Sequence, residues 1–129
     1  MENIAKILLV DDDPDFVEAT RLVLESKPYE VITAVNGAEG ITKARQERPD
    51  LIILDIMMPI KDGFSAAEEL KKDSELSKIP VLMLTSFSEK VEETTLSVSR
   101  GLMLDTEDYI DKPVLPDELL KRVGKLIKE

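Results

Sequence analysis

The chain has 129 residues and a formal net charge of −10, from 17 basic and 27 acidic side chains. This length fits one domain, and a hydrophobic share of 43% supplies enough apolar material for a core. The acid excess argues against direct binding to nucleic acid or to an anionic membrane, because both need a basic surface. Since the chain has no histidine and no cysteine, imidazole bases, thiol nucleophiles and thiolate zinc sites are excluded.

The apolar runs are too short to cross a bilayer. The strongest of them, residues 7–10 and 51–54, fall far short of the roughly 20 residues that a spanning helix requires. The N-terminal stretch MENIAKILLV leads directly into three aspartates and lacks the pattern of a cleavable secretion signal. We therefore expect a cytoplasmic protein that does not contact membranes.

Short apolar runs recur along the chain at roughly the spacing of repeated strand, helix, strand units. They cover residues 7–10, 31–35, 51–54, 81–84 and, more weakly, 109–110. The strong runs are continuously apolar rather than alternating, which is typical of strands covered on both faces. The pattern predicts an α/β fold with a doubly wound, five-stranded parallel sheet and helices on both faces.

Helical patterns lie between these runs. Asp13 followed by Pro14 predicts an N-cap and a helix that continues to Pro28. Residues 38–44 and 64–70 have apolar side chains at helical spacing, and residues 88–104 predict a weaker helix. The clearest helix begins at Pro116, because leucine, valine and isoleucine side chains form one stripe with basic residues opposite.

Reactive side chains follow the predicted strands at their carboxyl ends, where doubly wound sheets bind ligands. These residues are Asp11, Asp12, Asp55, Thr85, Ser86 and Lys112. Taken singly, each has a simpler interpretation as a turn residue, a helix cap or a surface charge, and Asp13 is interpreted as a cap. Their joint occurrence at one edge of the sheet predicts a shared site.

The chemistry of this set indicates a hard cation and a phosphoryl group. Three neighbouring carboxylates repel one another unless protons or a divalent cation lie among them. Oxygen ligands without imidazole or thiolate favour Mg²⁺. A lysine and a hydroxyl beside the cation suit the oxygens of a transferring phosphoryl group, and a carboxylate can accept it.

Four stretches, ILLVDDDPD, PDLIILDIMMPIKDGF, VLMLTS and DYIDKP, occur in an order that strongly resembles the response-regulator receiver domain of two-component signalling. The resemblance extends over roughly residues 6–127. It implies a single receiver domain spanning residues 1–129 with the flavodoxin-like (βα)5 fold of chemotaxis-type single receivers.

The resemblance also implies residue roles. Asp55 would accept the phosphoryl group, and Mg²⁺ would be held by Asp11, Asp12, Asp55 and the backbone carbonyl of Met57. The apolar side chains of Met57 and Phe87 would not orient a water molecule, so we expect slow hydrolysis of the phosphoaspartate. The chain would catalyse only its own phosphorylation and slow dephosphorylation, and would not be an enzyme toward other substrates.

Further implied roles concern the switch. Thr85 would turn its hydroxyl to the phosphoryl oxygens, Lys112 would pair with them, and Tyr109 would change its burial. The bond before Pro113 would be cis. The surface formed by the fourth strand, the helix over residues 88–104 and the fifth strand would then shift and alter partner binding.

The implied partners are a histidine kinase or histidine phosphotransfer protein, and a downstream protein or an output domain beyond this sequence. The segment between Thr85 and Lys112 is longer than in most receivers and contains GLMLDTEDY. Because this region carries the output contact in many receivers, the downstream partner does not transfer from the resemblance. We expect a monomer or a weak, phosphorylation-dependent homodimer.

Three alternatives compete with this interpretation. In an Mg²⁺-dependent aspartyl-phosphate hydrolase, Asp11 would be the nucleophile and Asp13 the acid or base, which leaves Asp55 without a role. A calcium loop starting at Asp11 lacks the required glycine and glutamate, since Phe16 and Leu22 occupy those positions. A phosphorylation-independent interaction module on the same fold is the third.

Overall fold

Five parallel strands form one sheet in the computed structural model, which describes residues 5–55, 63–85, 108–111 and 115–127. The strands are β1 (Ala5–Val10), β2 (Tyr29–Ala34), β3 (Leu51–Asp55), β4 (Val81–Thr85) and β5 (Asp108–Asp111). Their order across the sheet is β2-β1-β3-β4-β5, and every neighbouring pair is parallel. The predicted fold class is therefore confirmed.

The described helices are α1 (Pro14–Glu25), α2 (Gly37–Glu47), α3 (Gly63–Lys72) and α4 (Pro116–Ile127), which follows β5, and a 3₁₀ turn (Leu76–Lys78) precedes β4. Helix α1 begins as predicted, because the Asp13 carboxylate accepts hydrogen bonds from the backbone N–H groups of Asp15 and Phe16. In α2, Asn36 caps the first turn, and Arg48 ends the helix in the left-handed conformation with φ of 49°. None of the helices in these ranges has the length and apolar character needed to span a bilayer.

The core lies in two layers, one on each face of the sheet. Along β1, Leu8 and Val10 pack into the layer that also contains side chains of α2 and α3. Ile7 and Leu9 point to the other face, where α1 and α4 contribute the covering side chains. This alternation, with every one of these residues buried, explains why a strand covered on both faces has a continuously apolar sequence.

Several details differ from the sequence-based prediction, and one of them is that α1 ends at Glu25 and does not continue to Pro28. Strand β2 ends at Ala34, and Val35, which was predicted to lie in this strand, is 59% exposed. The reason is local, since the backbone N–H of Val35 donates to the side chain of Glu39 in the first turn of α2. The 3₁₀ turn before β4 was not predicted, and β5 is longer than the predicted run. The predicted helix over residues 88–104 lies outside the described residues.

Candidate functional site

The strand order places a topological switch point between β1 and β3. The chain runs from β1 to β2 on one side and then returns to β3 on the other side of β1. Val10 of β1 pairs with Leu54 of β3, so the next residues, Asp11 and Asp55, reach the carboxyl edge of the sheet at the same level. Open α/β sheets bind their ligands at this kind of position.

Asp11, Asp12 and Asp55 form an acidic cluster at this switch point. Each of the three side chains offers a carboxylate oxygen that lies within 4.8 Å of the other two. Asp11 is 1% exposed and Asp55 is 3% exposed, whereas Asp12 is open to solvent. Burial and mutual repulsion both disfavour three ionised carboxylates so close together, unless positive charge accompanies them.

Asp11 is fixed through both its backbone and its side chain. Its backbone N–H donates to the carbonyl of Ala34 at the end of β2, with an N to O distance of 3.0 Å. Its Oδ1 atom accepts from the backbone N–H of Asp13, also at 3.0 Å. The turn from β1 into α1 therefore orients the Asp11 carboxylate, while Asp12 between these two contacts faces solvent.

The acidic cluster fits a divalent cation of the hard type. Its donors are carboxylate oxygens, which are the ligands that Mg²⁺ prefers. Two ligands on opposite sides of one Mg²⁺ stand about 4.2 Å apart, since each bond is about 2.1 Å long. Oxygens that already lie within 4.8 Å of one another can reach one such ion with small movements. Asp12 is the exposed member of the cluster, and Mg²⁺ usually keeps several water ligands.

Of the other predicted residues, the structure describes the backbone of Thr85 and of Tyr109. Thr85 is the last residue of β4, directly after Leu84, which pairs with Asp55. The backbone of Thr85 thus ends its strand beside the strand of the predicted phosphoacceptor. Tyr109 lies in β5 opposite Met83.

The sequence predictions for Met57, Ser86, Phe87, Lys112 and Pro113 lie outside the described residues. Lys112 directly follows Asp111, the last residue of β5. Asp111 pairs with Thr85 in the register of the sheet, so β5 ends at the same edge that carries the acidic cluster.

The structure weakens two alternative interpretations of the aspartates. The carboxylate of Asp13 accepts two backbone N–H groups at the start of α1, so it serves as a helix cap and is not placed as the acid or base of a hydrolase. The calcium-loop interpretation is wrong, because Pro14–Glu25 forms a regular helix and a calcium loop requires a turn at this position.

Sequence reasoning missed the residues that support Asp11 from the other side. Ala34 provides the acceptor for the Asp11 N–H, while Glu39 and Lys43 in α2 contact the residues on either side of Ala34. The pattern of Asn36 followed three residues later by Glu39 is a helix-start signal that could have drawn attention to this turn.

Comparison with known families agrees with this fold. The family model described as the response regulator receiver domain matches residues 7–124. The chain belongs to this family, and it is therefore a receiver domain of the two-component type.

Two curated relatives and one solved structure illustrate the likeness. Protein PilH of Pseudomonas aeruginosa is 37% identical over 123 residues, which are 95% of this chain and 98% of PilH. The probable transcriptional regulator ycf27 of Cyanophora paradoxa is 38% identical over 126 residues, which are 98% of this chain and 49% of ycf27. The chain thus spans nearly all of PilH but about half the length of several other curated relatives.

One similar solved structure is the receiver domain of the sensor histidine kinase PA1611 from Pseudomonas aeruginosa. That structure has a magnesium ion coordinated in its active-site cleft. The likeness has a TM-score of 0.84 at 26% identity and covers 97% of this chain and 98% of the other.

Proposed function

We propose that this receiver domain is a phosphorylation switch, in which Asp55 accepts a phosphoryl group from a histidine kinase or a histidine phosphotransfer protein in a Mg²⁺-dependent reaction. The observation that supports this proposal best is the acidic cluster of Asp11, Asp12 and Asp55 at the topological switch point. The magnesium ion reported for the PA1611 receiver domain supports the choice of cation.

Each residue of the acidic cluster has a distinct task in the proposal. Asp11 and Asp12 hold the cation together with Asp55, and the backbone carbonyl of Met57 is the further ligand implied by the sequence. Bound Mg²⁺ supplies positive charge that offsets the developing charge on the phosphoryl oxygens. An Asp55 oxygen attacks phosphorus as the bond from phosphorus to the donor nitrogen breaks, which forms an aspartyl phosphate. The near-complete burial of Asp55 limits the access of competing water.

The switch follows from the charge that the phosphoryl group adds. Phosphorylation brings nearly two negative charges and three strong acceptor oxygens to the end of β3. Thr85, which ends the neighbouring strand, and Lys112 are the proposed partners of these oxygens. Both partners gain contacts only in the phosphorylated state, which shifts the loops after β4 and β5 and changes the surface offered to other proteins. The involvement of Tyr109 in this shift is a prediction from the sequence.

The proposed switch also defines the domain's own catalytic activity, its location and its downstream partner. The domain catalyses its own phosphorylation and slow dephosphorylation and acts on no other substrate. Met57 and Phe87 are proposed to slow hydrolysis because their apolar side chains cannot orient water. We propose a cytoplasmic location, where the donor is found, and a downstream protein or an attached output domain as the receiver of the signal.

Phosphorylation with acetyl phosphate tests the proposal directly. Incubation with acetyl phosphate and Mg²⁺ should add the mass of one phosphoryl group, detected by intact-protein mass spectrometry. The gain should be absent in Asp55→Asn and after chelation of Mg²⁺. Asp13→Asn is the matched control, because asparagine is also a good N-cap and this carboxylate has no role in the proposed transfer. An Asp55→Asn protein that still gains the phosphoryl mass would overturn the proposal.

A second measurement separates the switch from the hydrolase alternative. Titration with Mg²⁺ and beryllofluoride, a phosphoryl mimic, should shift amide resonances at the acidic cluster and in the segments after β4 and β5. A hydrolase would instead release phosphate steadily from small phosphomonoesters and would depend on Asp11 as its nucleophile. Steady turnover without labelling of Asp55 would support the hydrolase and contradict the switch.

A further inference from the structure

Strand β2 forms one edge of the sheet, and its last residues lie beside the acidic cluster. The carbonyl of Ala34 points toward β1 and accepts the backbone N–H of Asp11 at 3.0 Å. Successive residues of a strand direct their backbone groups to alternate sides. The carbonyl of Thr33 and the N–H of Val35 therefore point away from β1, toward the outer edge.

Two side chains of α2 reach around to this outer edge. The ammonium group of Lys43 donates to the Thr33 carbonyl at 2.6 Å, in a partly buried position. The Oε1 atom of Glu39 accepts from the Val35 N–H at 2.8 Å, and its Oε2 atom lies 3.3 Å from the Lys43 ammonium. We call Glu39 and Lys43 the edge clamp. It fixes the residue before and the residue after Ala34 to the same turn of one helix.

The strength of these contacts depends on charge. Each places an ionised side chain against a neutral backbone group, and such hydrogen bonds are shorter and stronger than neutral ones. The pKa of Glu39 lies below its ordinary value, mainly because of the Val35 N–H and then because of Lys43. The carboxylate therefore remains ionised, and the edge clamp remains formed, at neutral pH.

Helix α2 is itself seated closely on β1. Gly40, one turn from the start of the helix, faces Val10, and a Cβ atom at Gly40 would lie only 3.0 Å from Val10 Cγ2. Val10 directly precedes Asp11 in the sequence. The helix that carries the edge clamp thus also touches the end of β1, so both neighbours of the Asp11 backbone depend on the position of α2.

We propose that Glu39 and Lys43 are positioning residues for the acidic cluster: they hold the Ala34 carbonyl in place, and this carbonyl sets the position of Asp11. They touch neither the proposed cation nor the phosphoryl group, and they act only through Ala34. The part of this inference that concerns Mg²⁺ rests on the proposed function. The part that concerns the backbone of Asp11 does not depend on it.

The test uses Lys43→Met, which removes the charge but keeps an unbranched side chain of good helix propensity. In the absence of metal, the amide resonance of Asp11 should shift, because its hydrogen bond to Ala34 loosens. The dissociation constant for Mg²⁺, from amide shifts in an NMR titration, should rise by about 3- to 10-fold, somewhat less than for residues in direct contact with metal ligands. All measurements are made at a temperature where each variant is fully folded.

Two companion variants make the result specific. Lys43→Arg keeps the positive charge and should restore most of the Mg²⁺ affinity. Lys125→Met removes an exposed lysine from α4 on the opposite face of the sheet and should leave both readouts unchanged. Should Lys43→Met lower stability too far, Glu39→Gln replaces it, since glutamine can still accept from Val35 but loses the ion pair with Lys43.

The possible failures are distinguishable. An Asp11 resonance that does not move and a Mg²⁺ dissociation constant within twofold of the unmodified protein would overturn the positioning role. The Asp11 resonance could shift in Lys43→Met while neither this variant nor the unmodified protein responds to Mg²⁺. That result would support positioning of Asp11 but contradict the proposed function. Loss of Mg²⁺ affinity of similar size in Lys125→Met would show that the effect is not specific to the edge clamp and would also overturn the positioning role.

Discussion

Asp11 Oδ1 accepts the backbone N–H of Asp13 at 3.0 Å, while the Asp13 carboxylate turns away to bind the first N–H groups of α1. Three consecutive aspartates therefore have three different surroundings. Asp11 is buried at the sheet edge, Asp12 is exposed beside it, and Asp13 starts a helix. The same residue type serves a candidate metal site and a helix cap within one turn of chain.

The capping role of Asp13 predicts a stability effect without a functional one. Asp13→Ala should lower the free energy of unfolding by about 1 kcal/mol, because two N–H groups at the start of α1 lose their acceptor. Asp13→Asn should be close to neutral, since asparagine caps equally well. Urea unfolding measures both changes. If Asp13→Ala is folded but no longer accepts a phosphoryl group from acetyl phosphate, the assignment of Asp13 as a helix cap alone is contradicted.

Crowding of the carboxylates predicts that Asp55→Asn stabilises the protein in the absence of metal. Replacing one of three carboxylates whose oxygens lie within 4.8 Å of one another relieves this crowding and should raise the free energy of unfolding by about 1 kcal/mol. Added Mg²⁺ should stabilise the unmodified protein by about 2.7 kcal/mol at 100 times its dissociation constant, and Asp55→Asn by clearly less. Thermal unfolding with and without Mg²⁺ measures both effects.

Asp50→Asn is the matched control for this experiment. Asp50 lies at the opposite end of β3, where its carboxylate accepts the backbone N–H of Lys6 at 2.8 Å. Asparagine can accept the same hydrogen bond. This variant should therefore leave the response to Mg²⁺ unchanged. A loss of the Mg²⁺ response equal to that of Asp55→Asn would indicate a general effect of net charge and would contradict a local site.

The sequence was sufficient to predict the convergence of the acidic cluster. Continuous apolar runs identify strands buried on both faces, and the carboxyl ends of parallel strands share one edge. Asp11 directly follows one such strand and Asp55 ends another, so their proximity follows from topology alone. The cap at Asp13 was equally predictable, because the pairing of aspartate with a following proline is a local signal.

Other features could not be predicted from hydrophobic periodicity, because they depend on particular hydrogen bonds. Val35 continues an apolar run, yet its N–H bonds to Glu39, and the strand ends one residue earlier than its hydropathy indicates. The 3₁₀ turn at Leu76 forms because the Asp73 side chain accepts nearby N–H groups. The contact of Lys43 with Thr33 joins residues on two elements, and it requires knowledge of how α2 packs.

Asp73 predicts a loss of stability in acid. Its carboxylate accepts the N–H groups of Leu76 and Glu75, and Arg45 lies 3.8 Å away, so its pKa lies below the ordinary value of 3.8. A lowered pKa in the folded state means that the unfolded state binds the proton more readily. The stabilisation is therefore complete above the ordinary value and is lost as the pH falls through 3.8 toward the folded pKa.

Asp73→Asn tests this dependence, because asparagine can still accept the two N–H groups but does not titrate. Urea unfolding is followed between about pH 6 and about pH 3 in both proteins. The unmodified protein should lose more stability over this range than the variant. Equal losses in the two proteins would show that Asp73 contributes nothing to the acid sensitivity and would contradict the assigned pKa shift.

Gly40 in α2 and Gly124 in α4 predict different balances between helix propensity and packing. Neither has a positive φ, so alanine fits the backbone at both positions and should gain about 0.5 to 1 kcal/mol from lower flexibility of the unfolded chain. At Gly124, an added Cβ meets nothing within 4 Å, and Gly124→Ala should show this full gain in urea unfolding.

At Gly40, the added methyl group would lie 3.0 Å from Val10 Cγ2, so α2 or Val10 must shift by a few tenths of an ångström. Packing against a buried strand resists such movement, and the cost offsets the gain from helix propensity. Gly40→Ala should therefore gain at least about 0.5 kcal/mol less than Gly124→Ala. It should also shift the amide resonance of Asp11, which follows Val10. Equal stabilisation by both substitutions, with no shift of the Asp11 amide resonance, would mean that α2 does not pack closely enough on β1 to influence the acidic cluster.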